Sequence, residues 1–219
     1  MMKKNKLLNF TLWYLIFYII AFFVLESREV SIHIVHTWLD DVIPFCEYFI
    51  IPYFIWFLYL AGTGIYFLFY CQNQEESKQF IYGICTGMTV FLIVSFLYPN
   101  GHDLRPELTG DSLFIMGVKL LHQIDTPTNI LPSMHVYATV ACSVALLRQT
   151  IVKERKWMVG GIWLISILIV LSTVFLKQHS VIDVCSALIL NVAIYQLFYK
   201  WKLKRRETCH VEEKNIYNS

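Results

Sequence analysis

Six long apolar runs, at residues 7–25, 48–70, 80–98, 131–147, 157–176 and 180–199, limit what this chain can fold into more than any other feature. Each approaches or exceeds the roughly 20 residues that carry an α-helix across the hydrocarbon layer of a bilayer. Lipid offers no partner to an exposed peptide group, so such segments satisfy their own backbone as helices. With 57% apolar residues in 219, composition argues against a soluble globular domain. The runs nearly use up the chain, leaving loops and two tails, about 1–6 and 200–219, with no internal repeat or low-complexity segment. The expected fold is all-α, a bundle of six transmembrane helices forming one membrane domain over residues 1–219.

Charge orients the bundle. If the N-terminus is cytoplasmic, all of the 18 lysines and arginines except Arg28, Arg105, Lys119 and Lys177 fall on the cytoplasmic side. That asymmetry satisfies the positive-inside rule and predicts a multi-pass membrane protein with both tails in the cytoplasm. Lys3, Lys4 and Lys6 precede a first run longer than a signal-peptide core, with no small-residue cleavage site after it, so this run is expected to stay as an anchor. A formal net charge of +2 implies no nucleic-acid partner. The basic residues after Tyr199 suit a topological and anionic-lipid anchor. The six cysteines form no C-x-x-C pair and no zinc-like spacing, and read as small apolar packing residues.

Against this apolar background a few polar side chains stand out. Leu131-Pro132-Ser133-Met134-His135 opens the fourth run, Lys177-Gln178-His179 follows the fifth, and Asp183 is the sole formal charge in the sixth. Ionisable groups cost roughly 2.5–3.5 kcal/mol at mid-bilayer and less near the interface, and they mark functional sites by default. With the orientation above, the loop at 99–130, the start of the fourth run and the turn between the last two runs all face outward. Arg105, His135, Lys177, His179 and Asp183 are therefore expected on the extracytoplasmic side, as an electropositive pocket for an anionic group.

The spacings give that pocket chemistry. His179 and Asp183 lie four residues apart, on one face of a helix, where the carboxylate fixes the tautomer of the imidazole and raises the basicity of its other nitrogen. His179 becomes a candidate nucleophile, although a His-x-x-x-Asp pair alone serves equally to carry a proton or hold a metal. Pro132 suits a first helical position, which would aim the Ser133, Met134 and His135 amides at a phosphate, with the Ser133 hydroxyl as a further donor. Arg105 supplies a planar donor fork, Lys177 a compact charge, and His135 an acid for a leaving oxygen. His33, His36, His102, His122 and His210 lack such context and read as surface or loop residues. Asp40 and Asp41 are expected to cap the N-terminus of the second span through its dipole, the alternative being a role at the pocket entrance.

At these residues the chain resembles the type 2 phosphatidic acid phosphatase superfamily, whose signature is K-x6-R-P, P-S-G-H and S-R-x5-H-x3-D. Here the three parts stand as Tyr98-x6-Arg105-Pro106, Pro132-Ser133-Met134-His135 and Ser172-Thr173-x5-His179-x3-Asp183. Three positions depart from the pattern: Tyr98 replaces a lysine, Met134 a glycine and Thr173 an arginine. Lys177 offers a replacement charge. Its context, with Asp125 and Asn129 ahead of the second motif, is similar to the branch of inositol phosphorylceramide synthase-type phosphotransferases.

The resemblance implies a helical bundle and a covalent phosphohistidine mechanism without metal or cofactor. His179 would attack phosphorus, Asp183 would orient it, and His135 would protonate the departing alcohol. Arg105, Lys177, Ser133 and the Met134 amide would bind the phosphoryl oxygens. The implied substrate is a lipid phosphate or pyrophosphate in the outer leaflet, released by water, or by an alcohol in a phosphotransferase. A reading from another class is a proton-coupled transporter using His179 and Asp183 as a relay, which would need polar residues continuing through the bilayer.

Overall fold

A computed structural model of the chain describes residues 2–200; the tail at 201–219, with Cys209, His210 and most of the basic anchor, lies outside the described residues. Helix α1 (Met2–Glu26) is followed by a two-residue strand β1 (His33–Ile34) and a short helix α2 (Trp38–Val42). A 3-10 turn (Glu47–Phe49) leads into α3 (Ile50–Ile65), which ends in a π turn (Tyr66–Tyr70). Next come α4 (Gln74–Leu97), β2 (Asn100–Gly101), α5 (Leu113–Ile124) and α6 (Met134–Leu147). The chain closes with α7 (Thr150–Lys153), α8 (Lys156–Phe175) and α9 (Val181–Tyr195), the last extended by a second π turn (Gln196–Lys200).

Among the described residues, five segments are long and apolar enough to cross a membrane: Asn5–Glu26, Glu47–Tyr70, Gln74–Leu97, Lys156–Phe175 and Val181–Tyr199. The third starts at Gln74 rather than at 80 because the Asn73 side chain accepts the Glu75 N–H at 3.1 Å and Glu75 and Glu76 sit in the first turn. The expected fourth span differs most. Helix α6 has 14 residues, about 21 Å at a rise of about 1.5 Å per residue, against a hydrocarbon layer of about 30 Å. Ser133 sets its start: its hydroxyl accepts the Val136 N–H at 3.4 Å as an N-cap, which leaves Pro132 outside the helix rather than in its first turn.

Helix α6 is short but central, packed by α3, α4, α8 and α9. Its buried face carries Ala138, Thr139, Cys142, Ser143 and Ala145, and small side chains are what allow close helix approach in a membrane. Ser143 Oγ lies 2.6 Å from Ser166 Oγ on α8 and 2.9 Å from Tyr59 Oη on α3. Helix α1 is peripheral by contrast. It joins α4 through Tyr14, whose hydroxyl donates to the Cys85 carbonyl at 2.6 Å, and through Leu25 against Phe91 and Leu92. Trp13, Phe17, Ile20 and Phe23 face outward, a surface suited to lipid.

The spans alternate in direction, which gathers their ends. The Arg28 guanidinium donates to the Ser95 carbonyl at 2.8 Å, the Cys46 N–H to the Phe175 carbonyl at 3.0 Å, and the Ser133 N–H to the Asp183 carbonyl at 3.2 Å. At the other end Leu7 clusters with Cys71, Phe80 and Ala145, and Arg148 lies over the Tyr199 ring at 4.7 Å. Both ends of the described chain therefore lie at the end remote from Arg105 and His179.

The cap over the first end is pinned by Asn100, fully buried between β1, to which β2 pairs in parallel, and the segment ahead of Pro132. Its side-chain oxygen accepts the Ile130 and Leu131 N–H groups, both at 2.9 Å. Gly101 bridges to Thr128, and a Cβ there would stand 2.6 Å from the Pro127 carbonyl oxygen, so only glycine permits this approach.

Inside the bundle Gly87 plays the same part for Tyr137, a fully buried ring whose hydroxyl donates to the Gly83 carbonyl at 2.6 Å. A Cβ at Gly87 would lie 2.0 Å from Tyr137 Cζ. Gly87→Ala is expected to lower stability by about 1–3 kcal/mol through overpacking, read as an earlier unfolding transition in detergent. Gly83→Ala is the matched control, because its Cβ would meet Ile194 at an ordinary 3.7 Å.

Candidate active site

The turn between α8 and α9 builds the centre of the site. Leu176 N–H donates back to Ser172, Lys177 takes a left-handed φ of 55°, and the Thr173 carbonyl accepts both the Gln178 and His179 N–H groups at 2.9 and 3.1 Å. This reverses the chain within a few residues. Ser180 then caps α9 in a capping box, with its own N–H donating to Asp183 Oδ2 at 2.8 Å.

His179 is thereby placed between two partners. Its Nδ1 lies 3.4 Å from Asp183 Oδ2, an ion-pair contact in which Nδ1 makes no hydrogen bond, and its Nε2 lies 3.3 Å from His135 Nδ1. His179 is 7% exposed and Asp183 not at all. His135 occupies the first turn of α6, its ring against Tyr53 at 4.6 Å and Trp56 at 4.2 Å between centroids. Those two aromatics are three residues apart on α3, hence on one face. The Tyr53 hydroxyl in turn donates to Asp125 Oδ2 at 2.5 Å.

Arg105 reaches the same region from the loop after β2. It donates from Nη2 to the Asp125 carbonyl at 2.5 Å and to Gln178 Oε1 at 2.6 Å, and from Nη1 to the His122 carbonyl at 3.3 Å, while its buried Nε has no hydrogen-bond partner. Ser133 is fully buried and spends its hydroxyl as an acceptor on the α6 cap. The Met134 and His135 amides open α6, where no carbonyl four residues back exists inside the helix. Met134 lines the cavity described below.

Lys177 takes a different direction. Its side chain is buried and its ammonium donates to the carbonyls of Asp40 and Ile43, away from the cavity. Asp40 does not cap the second span as expected; it caps the last, accepting the Ser180 hydroxyl at 2.6 Å and the Val181 N–H at 2.8 Å. Asp41 pairs with His36 at 2.9 Å on the surface. Of the positions that depart from the motif, Tyr98 stacks on His33 at 4.5 Å, and Thr173 is buried with its hydroxyl donating to Val170 at 2.8 Å.

A cavity of about 430 Å³ opens beside the two histidines. Its polar end carries His135, His179, Gln178, Asp125, Asn129 and Glu26, and its walls are Tyr18, Phe22, Phe54, Trp56, Phe57, Phe91, Leu121 and Ile124. Glu26, at the end of α1, accepts a hydrogen bond from the Asn129 amide at 2.6 Å and so ties the wall to the loop. An apolar chamber ending in convergent polar groups fits an amphiphile with a polar head. Among the described residues, no three His, Cys, Asp or Glu side chains converge as a metal site would require.

His102 corrects the expectation of a loop histidine on the surface. It is 5% exposed, its Nδ1 accepts the Leu104 N–H at 3.2 Å, and burial, reinforced by the charges of His179 and Arg105, pushes its pKa down to about 4. Its place inside the first motif was the available signal. Tyr53, Trp56 and Gln178 gave none, because their roles depend on how α3 and the α8–α9 turn are rotated toward His135 and Arg105.

Residues 101–207 match the model of the PAP2 superfamily. The match takes in Arg105, Ser133 to His135 and His179 to Asp183, and leaves out α1, α3 and α4. A search of curated proteins and a search of solved structures each found no match.

The buried state of His102 makes stability depend on pH. Between the ordinary value of 6.5 and about 4, the unfolded chain takes up a proton that the folded chain refuses. Stability is therefore full above about 6.5 and falls as the pH drops toward 4, by at most about 1.4 kcal/mol per pH unit for one such group. His102→Asn, which keeps an acceptor for Leu104, is expected to lessen this dependence in thermal unfolding measured from pH 7 to 4.5, with His122, which burial also pushes down to about 4, supplying part of the rest. An unchanged slope would show that other groups carry it.

Proposed function

We propose that the chain is a membrane enzyme of the PAP2 superfamily, a lipid phosphatase that hydrolyses a lipid phosphate or pyrophosphate through a phosphohistidine at His179. The observation that carries this reading is the His179 imidazole held between Asp183 and His135 at the polar end of an apolar cavity. Asp183 lies at Nδ1, so the nitrogen left for attack is Nε2, the one that faces His135 and the cavity. His135 Nδ1 stands where a proton must be delivered to a leaving oxygen. The two ring nitrogens are in contact, so the rings must part for a phosphoryl group to enter between them.

In the first step Nε2 of His179 forms the P–N bond, the bond from phosphorus to the lipid oxygen breaks, and His135 gives that oxygen its proton. In the second, water attacks phosphorus, His135 takes its proton, and phosphate leaves His179. The Arg105 guanidinium and the Met134 and His135 amides stabilise charge on the equatorial oxygens, with Ser133 fixing the amides through the cap. Lys177, whose donors go to Asp40 and Ile43, adds longer-range positive charge. No step calls for a metal. A lipid alcohol in place of water gives the phosphotransferase, the alternative nearest to the Lys177-Gln178-His179 motif.

A proton-coupled transporter fits less well. Below His135 the polar groups of α6 and its neighbours include the hydroxyls of Thr139, Ser143, Ser166 and Tyr59 and the Asn191 amide; Thr139, Ser143 and Ser166 donate to carbonyls of their own helices, and Asn191 to the Tyr137 and Ala187 carbonyls. Among the described residues, no ion pair continues the relay from His179 and Asp183 through the middle of the bundle.

Two measurements test the reading. Rapid quench of purified protein with ³²P-labelled phosphatidic acid, in excess chelator, is expected to trap acid-labile, base-stable label on the protein. His179→Ala should abolish it, and His135→Ala should slow release of the alcohol by about 10²–10⁴-fold, least for an aryl phosphate. Near-normal turnover by His179→Ala would remove His179 as the nucleophile. The orientation, proposed from lysine and arginine asymmetry, is tested by Asp111→Cys, a fully exposed position on the capped end. Impermeant maleimide should label it in intact cells; labelling only after permeabilisation would invert the topology.

A further inference from the structure

The strap of chain between β1 and α3 carries a buried carboxylate that the mechanism above does not use. Asp40 is 3% exposed. Its Oδ2 accepts the Ser180 hydroxyl at 2.6 Å and the Thr37 N–H at 2.9 Å, and its Oδ1 accepts the Val181 N–H at 2.8 Å. From the other direction the Lys177 ammonium donates to the Asp40 and Ile43 carbonyls. The strap thus grips the α8–α9 turn on both sides of Gln178 and His179.

The partner of this grip is the residue that Asp183 also holds. Ser180 gives its N–H to Asp183 and its hydroxyl to Asp40. Any movement of Ser180 changes the 3.4 Å separation of His179 and Asp183 and the aim of His179 Nε2. A carboxylate at the N-terminus of α9 also suits the helix dipole. That accounts for its stability, but not for an ammonium buried against the strap's own carbonyls.

We infer that Asp40 and Lys177 are positioning residues for the nucleophile, a two-point clamp from the N-terminal half of the chain that sets the orientation of His179 for attack. The clamp rests on the phosphohistidine reading for its effect on rate, while its geometry can be tested without that reading. It lies partly outside the segment matched by the family model, since Asp40 precedes residue 101. Neither residue lines the cavity, so neither touches the substrate, and Asp40→Asn, which leaves the Lys177 charge in place, is the variant whose substrate affinity should stay unchanged.

The test uses full-length protein in lipid nanodiscs and rapid quench with ³²P-labelled phosphatidic acid. The amplitude of phosphoenzyme counts competent sites, and its rate constant reports alignment. Asp40→Asn, which keeps the shape and loses one acceptor and the charge, is expected to slow phosphoenzyme formation about 10–100-fold with KM and amplitude little changed. Lys177→Met should slow it in the same direction. A wild-type rate constant in both variants, or lost amplitude at an unchanged rate constant, would overturn the clamp and leave a purely structural cap. If wild type itself forms no phosphoenzyme, the phosphohistidine reading fails, and hydrogen exchange decides the clamp alone. Faster exchange in Asp40→Asn confined to peptides covering 177–184 supports it, and unchanged exchange there overturns it.

Discussion

The start of α9 is where the structure concentrates its most demanding interactions. Two carboxylates, Asp40 and Asp183, are buried within reach of one serine, at the edge of a largely apolar bundle. Burying a charge is tolerable only where hydrogen bonds and opposite charge compensate for lost water. Here the compensation is main-chain N–H groups of the helix terminus, the Ser180 and Thr37 donors, and imidazole and ammonium groups close by. The fold of the α8–α9 turn, the direction of His179 and the seat of the strap all follow from bringing these groups together, with Asp183 Oδ1 and His179 Nδ1 left without a hydrogen bond.

Around that point the two halves of the chain divide the work. The half that matches the family model brings Arg105, His135, His179 and Asp183. The half before it brings much of the walls, Phe22 and Glu26 from α1, Phe54 and Trp56 from α3 and Phe91 from α4, and the Tyr53 ring that packs on His135. On the proposed reading, chemistry resides in one half while the lipid chamber is shaped by both, with Leu121 and Ile124 closing it from the matched segment and Asp40 reaching across from the other. The central, short α6 makes this possible. Being enclosed by protein, it can start below the rim of the longer helices and present His135 inside the bundle rather than at its surface.

Much of this was legible in order and little of it in direction. Five of the expected spans appear as helices of membrane length, because a long apolar run has one way to satisfy its backbone in lipid. The His179 and Asp183 pairing follows from four-residue spacing and the capping box at Ser180. The expected loop histidine at 102 is buried, and Asp40, expected at the second span, caps the last. Both errors have one cause: sequence gives the neighbours along a helix, whereas these contacts join residues far apart in the chain. Lys177 shows the same limit. A left-handed turn at that residue aims its ammonium at the strap, and no spacing rule foretells the sign of a single φ.

What the sequence determined by itself is the class of object: apolar helices, a charge bias between their ends, and a small set of ionisable groups gathered at one end by alternation of the spans. Those properties are set by composition and count, and any packing of the helices preserves them. The tertiary structure decided which of those groups touch. His135 meets His179, Arg105 turns to Gln178 and the Asp125 carbonyl, Asp40 holds Ser180, and the aromatic residues of α1, α3 and α4 enclose a chamber. Such contacts depend on the rotation and depth of each helix, which are fixed by close packing at glycine and small residues and by the satisfaction of buried polar groups, neither of which is local in sequence.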